Sequence, residues 1–175
     1  APRPALEGLP RGPTFSRAER DAVRAFVEGG GRVVVVANRT TALHRDFEVQ
    51  VVDPPPDAAA RARSKKGGHA ASARGEKPRT GTHGAATLDA TTGHAGAAKR
   101  LAARRVHHLD VKASDTRARF VHDGSAVVAS IARGRGEAVF VSAPSLAGNA
   151  LLGSEDNLVF WAELATPRAD ARGAE

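Results

Sequence analysis

Ser16-Arg17-Ala18-Glu19-Arg20-Asp21-Ala22-Val23-Arg24-Ala25-Phe26-Val27-Glu28-Gly29-Gly30-Gly31-Arg32-Val33-Val34-Val35-Val36-Ala37-Asn38 is the stretch whose reading decides the fold. Ser16 and Glu19 have the spacing of a capping box, in which the hydroxyl accepts from the Glu19 amide while the carboxylate reaches back. Ala22, Val23, Phe26 and Val27 recur at helical spacing and predict one apolar stripe. Gly29-Gly30-Gly31 ends the helix, with Gly30 free to take the left-handed cap conformation. The β-branched run Val33–Val36, without polar alternation, predicts a strand covered on both faces, as in a parallel sheet. The stretch is half of an α/β unit, and no catalytic motif sits on it.

Beyond Asn38 the sequence predicts a loop and a short helical turn around Leu43. Phe47, Val49 and Val51 then alternate with Glu48 and Gln50, a half-exposed strand ended by Asp53 and Pro54-Pro55-Pro56. From His107 the pattern becomes antiparallel. His108–Val111 reads as a strand, and Phe120 to Ile131 reads as a hairpin about Asp123-Gly124, a type I′ turn pair. Gly134-Arg135-Gly136 makes a second turn into Ala138–Val141. After a loop at Pro144, Ser154 is expected to N-cap a last helix, with Glu155 and Asp156 in its first turn. Leu158, Phe160, Trp161 and Leu164 supply that helix's buried side.

The chain of 175 residues has room for one domain. It has neither Cys nor Met, which excludes disulfides, thiolate metal sites and a Cys nucleophile. Without an initiating Met, the chain is expected to be processed or cut from something longer. The formal charge of +7 looks like a nucleic-acid signature until it is placed along the chain. Residues 54–106 hold 11 Lys/Arg against 3 Asp/Glu, whereas the remainder holds 15 against 16. Within 54–106 only Leu88, Leu101 and Val106 are large and apolar, too few to offset ordering entropy. The domain reading is therefore 1–53 as the first part of an α/β domain, 54–106 as a basic, largely disordered insertion, 107–166 as the second part and 167–175 as a tail. Two exceptions inside the insertion are a short strand near Ala86-Thr87-Leu88 and a basic helix over Ala97 to Arg105. No apolar run reaches the length of a membrane span and no signal-peptide pattern opens the chain, so it is read as soluble as given.

The chemistry-bearing residues are weighed against structural roles. Gly29-Gly30-Gly31 follows a helix, whereas a phosphate-cradling loop precedes one. No metal site is assigned: His69, His83 and His94 are irregularly spaced, and adjacent His107-His108 on a strand face opposite sides. Ser142 and Ser145 follow a strand, where α/β folds place their sites, but no nucleophile-elbow motif surrounds them. The candidate ligand contacts are Asn38, Ser142, Asn149 and Asn157, with structural capping favoured for Asn149 and for Ser154 to Asn157. The basic insertion is a candidate for nucleic acid or anionic lipid by counterion release, yet it lacks aromatic residues to stack on bases. No cofactor is implied, and the sequence sets no oligomeric state.

Two blocks together resemble a known family. The first runs from Phe15 to Val35. The second comprises Gly134 to Ser142, Ser145-Leu146-Ala147-Gly148-Asn149, Leu152 and Asp156-Asn157. They resemble the uncharacterised bacterial family catalogued as domain of unknown function 4350. The resemblance implies a fold similar to class I glutamine amidotransferase-like domains, a flavodoxin-like three-layer sandwich. It also implies a membrane-associated bacterial parent protein and an unidentified protein partner, in a role of assembly or ligand binding. The enzymes with that fold use a Cys–His–Glu triad, and with no Cys this chain cannot run that chemistry. Family members carry a further strand and helix upstream, and many continue into an acidic strand after the last helix. Neither is found here, so the mixed sheet is expected to be incomplete at both ends.

Overall fold

The computed structural model describes residues 15–53, 85–92 and 96–166. In chain order these form α1 (Arg17–Glu28), β1 (Arg32–Val36), α2 (Ala42–Asp46), β2 (Val49–Val52), β3 (Ala86–Ala90), β4 (Arg100–Ala103), β5 (His108–Val111), β6 (Thr116–His122), β7 (Ser125–Arg133), β8 (Gly136–Val141) and α3 (Asn157–Ala165). Short 3-10 turns at Pro144–Ala147 and Asn149–Leu151 lead into α3. The fold is mixed α/β. Six strands make one sheet in the order β1-β8-β7-β6-β3-β4, and β2 pairs with β5 in a separate ribbon. Within the large sheet β1–β8 is parallel and the other pairs are antiparallel.

The opening unit forms as its sequence dictates. The Ser16 amide donates to Glu19 Oε2 at 2.7 Å and the Glu19 amide donates to Ser16 Oγ at 3.3 Å. Hydrogen bonding to the carboxyl by Ser16, chiefly from its amide and then from its side chain, holds Glu19 below its ordinary range. Gly30 takes φ +110 just past the helix, the left-handed conformation that glycine adopts without penalty. The apolar stripe is a partial correction. Val27 is buried and Val23 half-buried, but Ala22 and Phe26 are exposed. The side of α1 that carries Arg20 and Arg24 is instead the one turned to α2, where Arg20 grips both Asp46 oxygens at 2.7 and 2.9 Å.

β1 is also a correction in part. It lies parallel to β8 and has apolar cover on both faces, but among the described residues it has a single neighbour, and its valines are only half-buried. The truly enclosed strand is β8, whose six residues are all buried. Val139 and Val141 point into one core with Phe120, Leu146 and Phe160, under α3. Ala138 and Phe140 point into the other with Val27, Phe47, Val49 and Ile131, under α1, α2 and the β2–β5 ribbon. Strand alternation thus feeds two cores from one central strand.

The hairpins appear where their turn residues place them. Asp123 and Gly124 take φ 49 and 75 between β6 and β7, as a type I′ turn requires. Gly136 has a further constraint that its turn position hides. A Cβ there would overlap the carbonyl oxygens of Val27 and Gly31, so the β7–β8 hairpin passes under the end of α1 with no room for a side chain.

Within 54–106, residues 85–92 and 96–106 are described, and two strands in them belong to the large sheet. The strand expected near Ala86-Thr87-Leu88 is β3. The helix expected over Ala97 to Arg105 is instead β4: Leu101 lies directly opposite Leu88, both fully buried. Alanine favours a helix locally, but pairing with β3 and the capture of the β4 main chain by side chains override that preference.

Candidate functional site

The predicted ligand contacts are not brought together in one place. Asn38 and Ser142 follow β1 and β8, which run in parallel register, so both sit at the carboxyl end of that pair. This is where open α/β sheets place ligands. Asn38 is exposed; Ser142 is fully buried.

Around Ser142 the residue names imitate a catalytic triad. The Ser142 hydroxyl donates to an oxygen of His107 at 2.6 Å, and the His107 ring Nδ1 lies 3.1 Å from Asp53 Oδ1. The oxygen is the main-chain carbonyl of His107, not its ring. An activated serine gives its proton to an imidazole nitrogen, which a carbonyl cannot replace. A second carbonyl, that of Val127, lies 3.1 Å from the same hydroxyl. Ser142 therefore ties β8 to the segments before β5 and within β7.

Asn157 lies instead at the outer edge of β4, where no further strand is paired among the described residues, and three side chains near it act on the same edge. Asn157 Oδ1 accepts from the Ala102 amide at 2.9 Å, and its Nδ2 donates to the Ala102 carbonyl at 2.9 Å and the Leu151 carbonyl at 2.8 Å. Asp156 Oδ2 accepts from the amides of Lys99 and Arg100 at 2.8 and 3.0 Å. Ser145 Oγ accepts from the Arg104 amide at 2.7 Å and donates to its carbonyl at 2.8 Å. Glu163 Oε1 takes the amides of Ala97 and Ala98. These four side chains act as a substitute strand, satisfying groups that an open edge would expose. The amides of Lys99 and Arg100, foremost among the causes, hold the Asp156 carboxyl below its ordinary range.

Asn149 stands apart, exposed, in a 3-10 turn where its carbonyl accepts from Leu152. Ser154 is a correction: α3 starts at Asn157 behind Asp156, and Ser154 contributes its carbonyl to the Asn157 amide, with no side-chain cap. The turn instead places Glu155 at φ 47, bridged to Leu101, so that Asp156 is aimed at β4 and not at the helix.

His69, His83 and His94 lie outside the described residues. Among the described residues no group of three His, Cys, Asp or Glu side chains is arranged to hold a metal. Two surface clefts, of about 490 and about 1200 Å³, are lined by other residues than Asn38, Ser142, Asn149 and Asn157. The larger has Arg32 and Glu137 on its floor, 3.1 Å apart, a pair that sequence reasoning passed over. Arg32 also donates to the carbonyls of Glu163, Leu164 and Thr166, clamping the end of α3.

The family model described as domain of unknown function (DUF4350) matches residues 9–165. No curated protein matches the sequence significantly. Among solved structures, the chain is similar to the mmIFT52 N-terminal domain, with TM-score 0.56 and 13% identity over 87% of this chain and 73% of that one. It is also similar to β-galactosidases from Rahnella sp. R3 (TM-score 0.52, 12% identity) and Bacillus circulans sp. alkalophilus (TM-score 0.52, 10% identity). Those matches cover 86% of this chain but only 22% and 21% of the galactosidase chains, a fifth of their length. At such identities the likeness concerns the fold alone.

Proposed function

Since the chain belongs to the DUF4350 family, we propose that it is a non-catalytic α/β domain of a membrane-associated bacterial protein, acting in assembly or partner binding. One observation carries this reading: four polar residues of the second block are engaged with main chain. Ser142, Ser145, Asp156 and Asn157 each hold a strand or a turn in place. The bacterial, membrane-associated setting and the amidotransferase-like sandwich enter through the family resemblance. Among the described residues no helix is long and apolar enough to cross a membrane.

The test is turnover. Purified protein is offered esters, amides, glycosides and phosphoesters, with Ser142→Ala in parallel and its folding checked by circular dichroism. No activity is expected. Reproducible hydrolysis that disappears in folded Ser142→Ala would overturn the reading in favour of a cryptic serine hydrolase.

A second reading rests on the charge of residues 54–106, in which Lys/Arg outnumber Asp/Glu by 11 to 3. Here the domain contacts nucleic acid or anionic lipid electrostatically. Because β3 and β4 lie in that range, the informative deletion is confined to 57–82, which spares every described strand. If binding to DNA, RNA and anionic vesicles at low salt survives this deletion unchanged, the second reading is lost.

A further inference from the structure

α3 covers only part of its face of the large sheet. It ends at Ala165, where Arg32 holds the carbonyls of Glu163, Leu164 and Thr166. The strand register sets two rows of side chains on this face. Val34, Val139, Ser130 and Arg117 stand opposite one another across β1, β8, β7 and β6, and Arg32, Glu137 and Ala132 form the next row. Val34 and Val139 join the core under α3, which fixes the face. The other five line the larger cleft, of about 1200 Å³. Ala132 is exposed although β7 is an interior strand, so this part of the face is uncovered among the described residues. α1 packs on the other face, where Val27 joins the second core.

Two groups in the cleft lack partners. Ser130 is only 6% exposed, yet its hydroxyl has no hydrogen-bond partner among the described residues. Such a hydroxyl destabilises an interior strand, where alanine would pack as well. Arg117, directly opposite and exposed, forms no ion pair or hydrogen bond among the described residues. Opposed residues hold their Cβ atoms about 4.5–5.5 Å apart, so the guanidinium and the hydroxyl reach the same small group. The carboxylates nearby are placed differently. Glu137 is matched by Arg32 at 3.1 Å, and Glu163 accepts from the amides of Ala97 and Ala98. Asp115 is exposed just ahead of β6, and Arg119 adds a further cation to the wall. What Arg117 and Ser130 offer a ligand is donors, the guanidinium N–H groups and one O–H.

We propose that this cleft binds a small oxyanion, a carboxylate or a phosphate group, held by the Arg117 guanidinium and the Ser130 hydroxyl. A guanidinium binds either group through paired N–H donors. The cleft is far larger than the anion alone, and the small side chain of Ala132 leaves room toward Arg32 and Glu137. The anion therefore belongs to a larger molecule. Neighbouring strands lie about 4.8 Å apart, so roughly 14 Å separates β6 from β1, and this sets the length of ligand that fits. With one guanidinium and one hydroxyl, the bare anion binds weakly, with Kd on the order of millimolar.

The site goes beyond the scaffold reading and does not rest on it. The test is nuclear magnetic resonance of the 175-residue chain, titrated separately with inorganic phosphate and with acetate, against chloride at matched ionic strength. Saturable shifts of the Arg117 and Ser130 signals are expected with an oxyanion and not with chloride. A response to phosphate alone assigns a phosphate-bearing ligand, and one to acetate alone assigns a carboxylate. Arg117→Gln, at an exposed position, should weaken binding at least tenfold with circular dichroism unchanged. Ser130→Ala should weaken it several-fold while the melting temperature holds or rises, because the lost hydroxyl has no partner in the fold. Absence of saturable shifts up to about 100 mM of either anion overturns the proposal, as does binding left intact in folded Arg117→Gln or Ser130→Ala. None of these results touches the turnover assay.

Discussion

Asn157 holds Ala102 from both sides, its Oδ1 accepting from the amide and its Nδ2 donating to the carbonyl, each at 2.9 Å. One buried amide side chain thereby does for β4 what a neighbouring strand does for an interior one. It also reaches the Leu151 carbonyl, joining the edge to the turn that precedes α3.

Asn157→Ala is expected to destabilise the fold by about 3 kcal/mol, because buried groups lose partners that water cannot replace. Asn149→Ala, at an exposed side chain, should stay within about 0.5 kcal/mol of wild type. Urea denaturation of the two variants measures the contrast. Equal effects would show that the two asparagines of the second block do not differ in role as their surroundings require.

Asp156 gives the same edge a pH response. Its folded carboxyl titrates below the unfolded value of 3.8, chiefly through the Lys99 and Arg100 amides. The contribution is therefore present above that value and lost as pH falls through the lower, folded one. Amide exchange at Lys99 and Arg100 should accelerate in this acid range in wild type. In Asp156→Asn, which lacks the charge, those amides should exchange rapidly already at neutral pH.

His44 acts at milder acidity. It is fully buried in α2, its Nδ1 is 2.8 Å from Thr41 Oγ1, and its ring lies 5.0 Å from that of Phe140. Burial pushes its pKa down to about 4 from 6.5. The unfolded chain thus binds the proton more readily between those values. Stability is full above pH 6.5 and falls toward pH 4, by at most roughly 3 kcal/mol for such a shift. The melting temperature of wild type should drop over this window, and His44→Leu should flatten the drop while lowering stability at pH 7 by about 1 kcal/mol through the lost cap.

Gly136→Ala is expected to cost about 3–5 kcal/mol, since main-chain oxygens of Val27 and Gly31 occupy the space of its Cβ. Gly124→Ala, with φ 75 but open space around it, should cost only about 1 kcal/mol. A ranking in the reverse order by thermal or chemical denaturation would contradict the close passage of the hairpin under α1.

Local chemistry was legible wherever neighbours in sequence are neighbours in space. The capping box at Ser16, the Gly30 stop, the Asp123-Gly124 turn and the central run Ala138–Val141 each follow from rules that span a few residues. What tertiary structure alone decided is which edge each strand presents and what each polar group meets. Arg100–Ala103 became a strand because Leu88 and Asn157 lie beside it, neither of which its own composition announces. Ser154 lost its role as a cap because a left-handed Glu155 turned Asp156 toward β4. The stretch from Ser16 to Asn38 shows the same division. Its sequence determined a helix, a stop and a strand, because each depends on backbone preferences acting over a few residues. Only the fold set β1 parallel to β8 and left Phe26 exposed, because strand order is settled by contacts between residues about a hundred positions apart, such as Arg32 and Glu137.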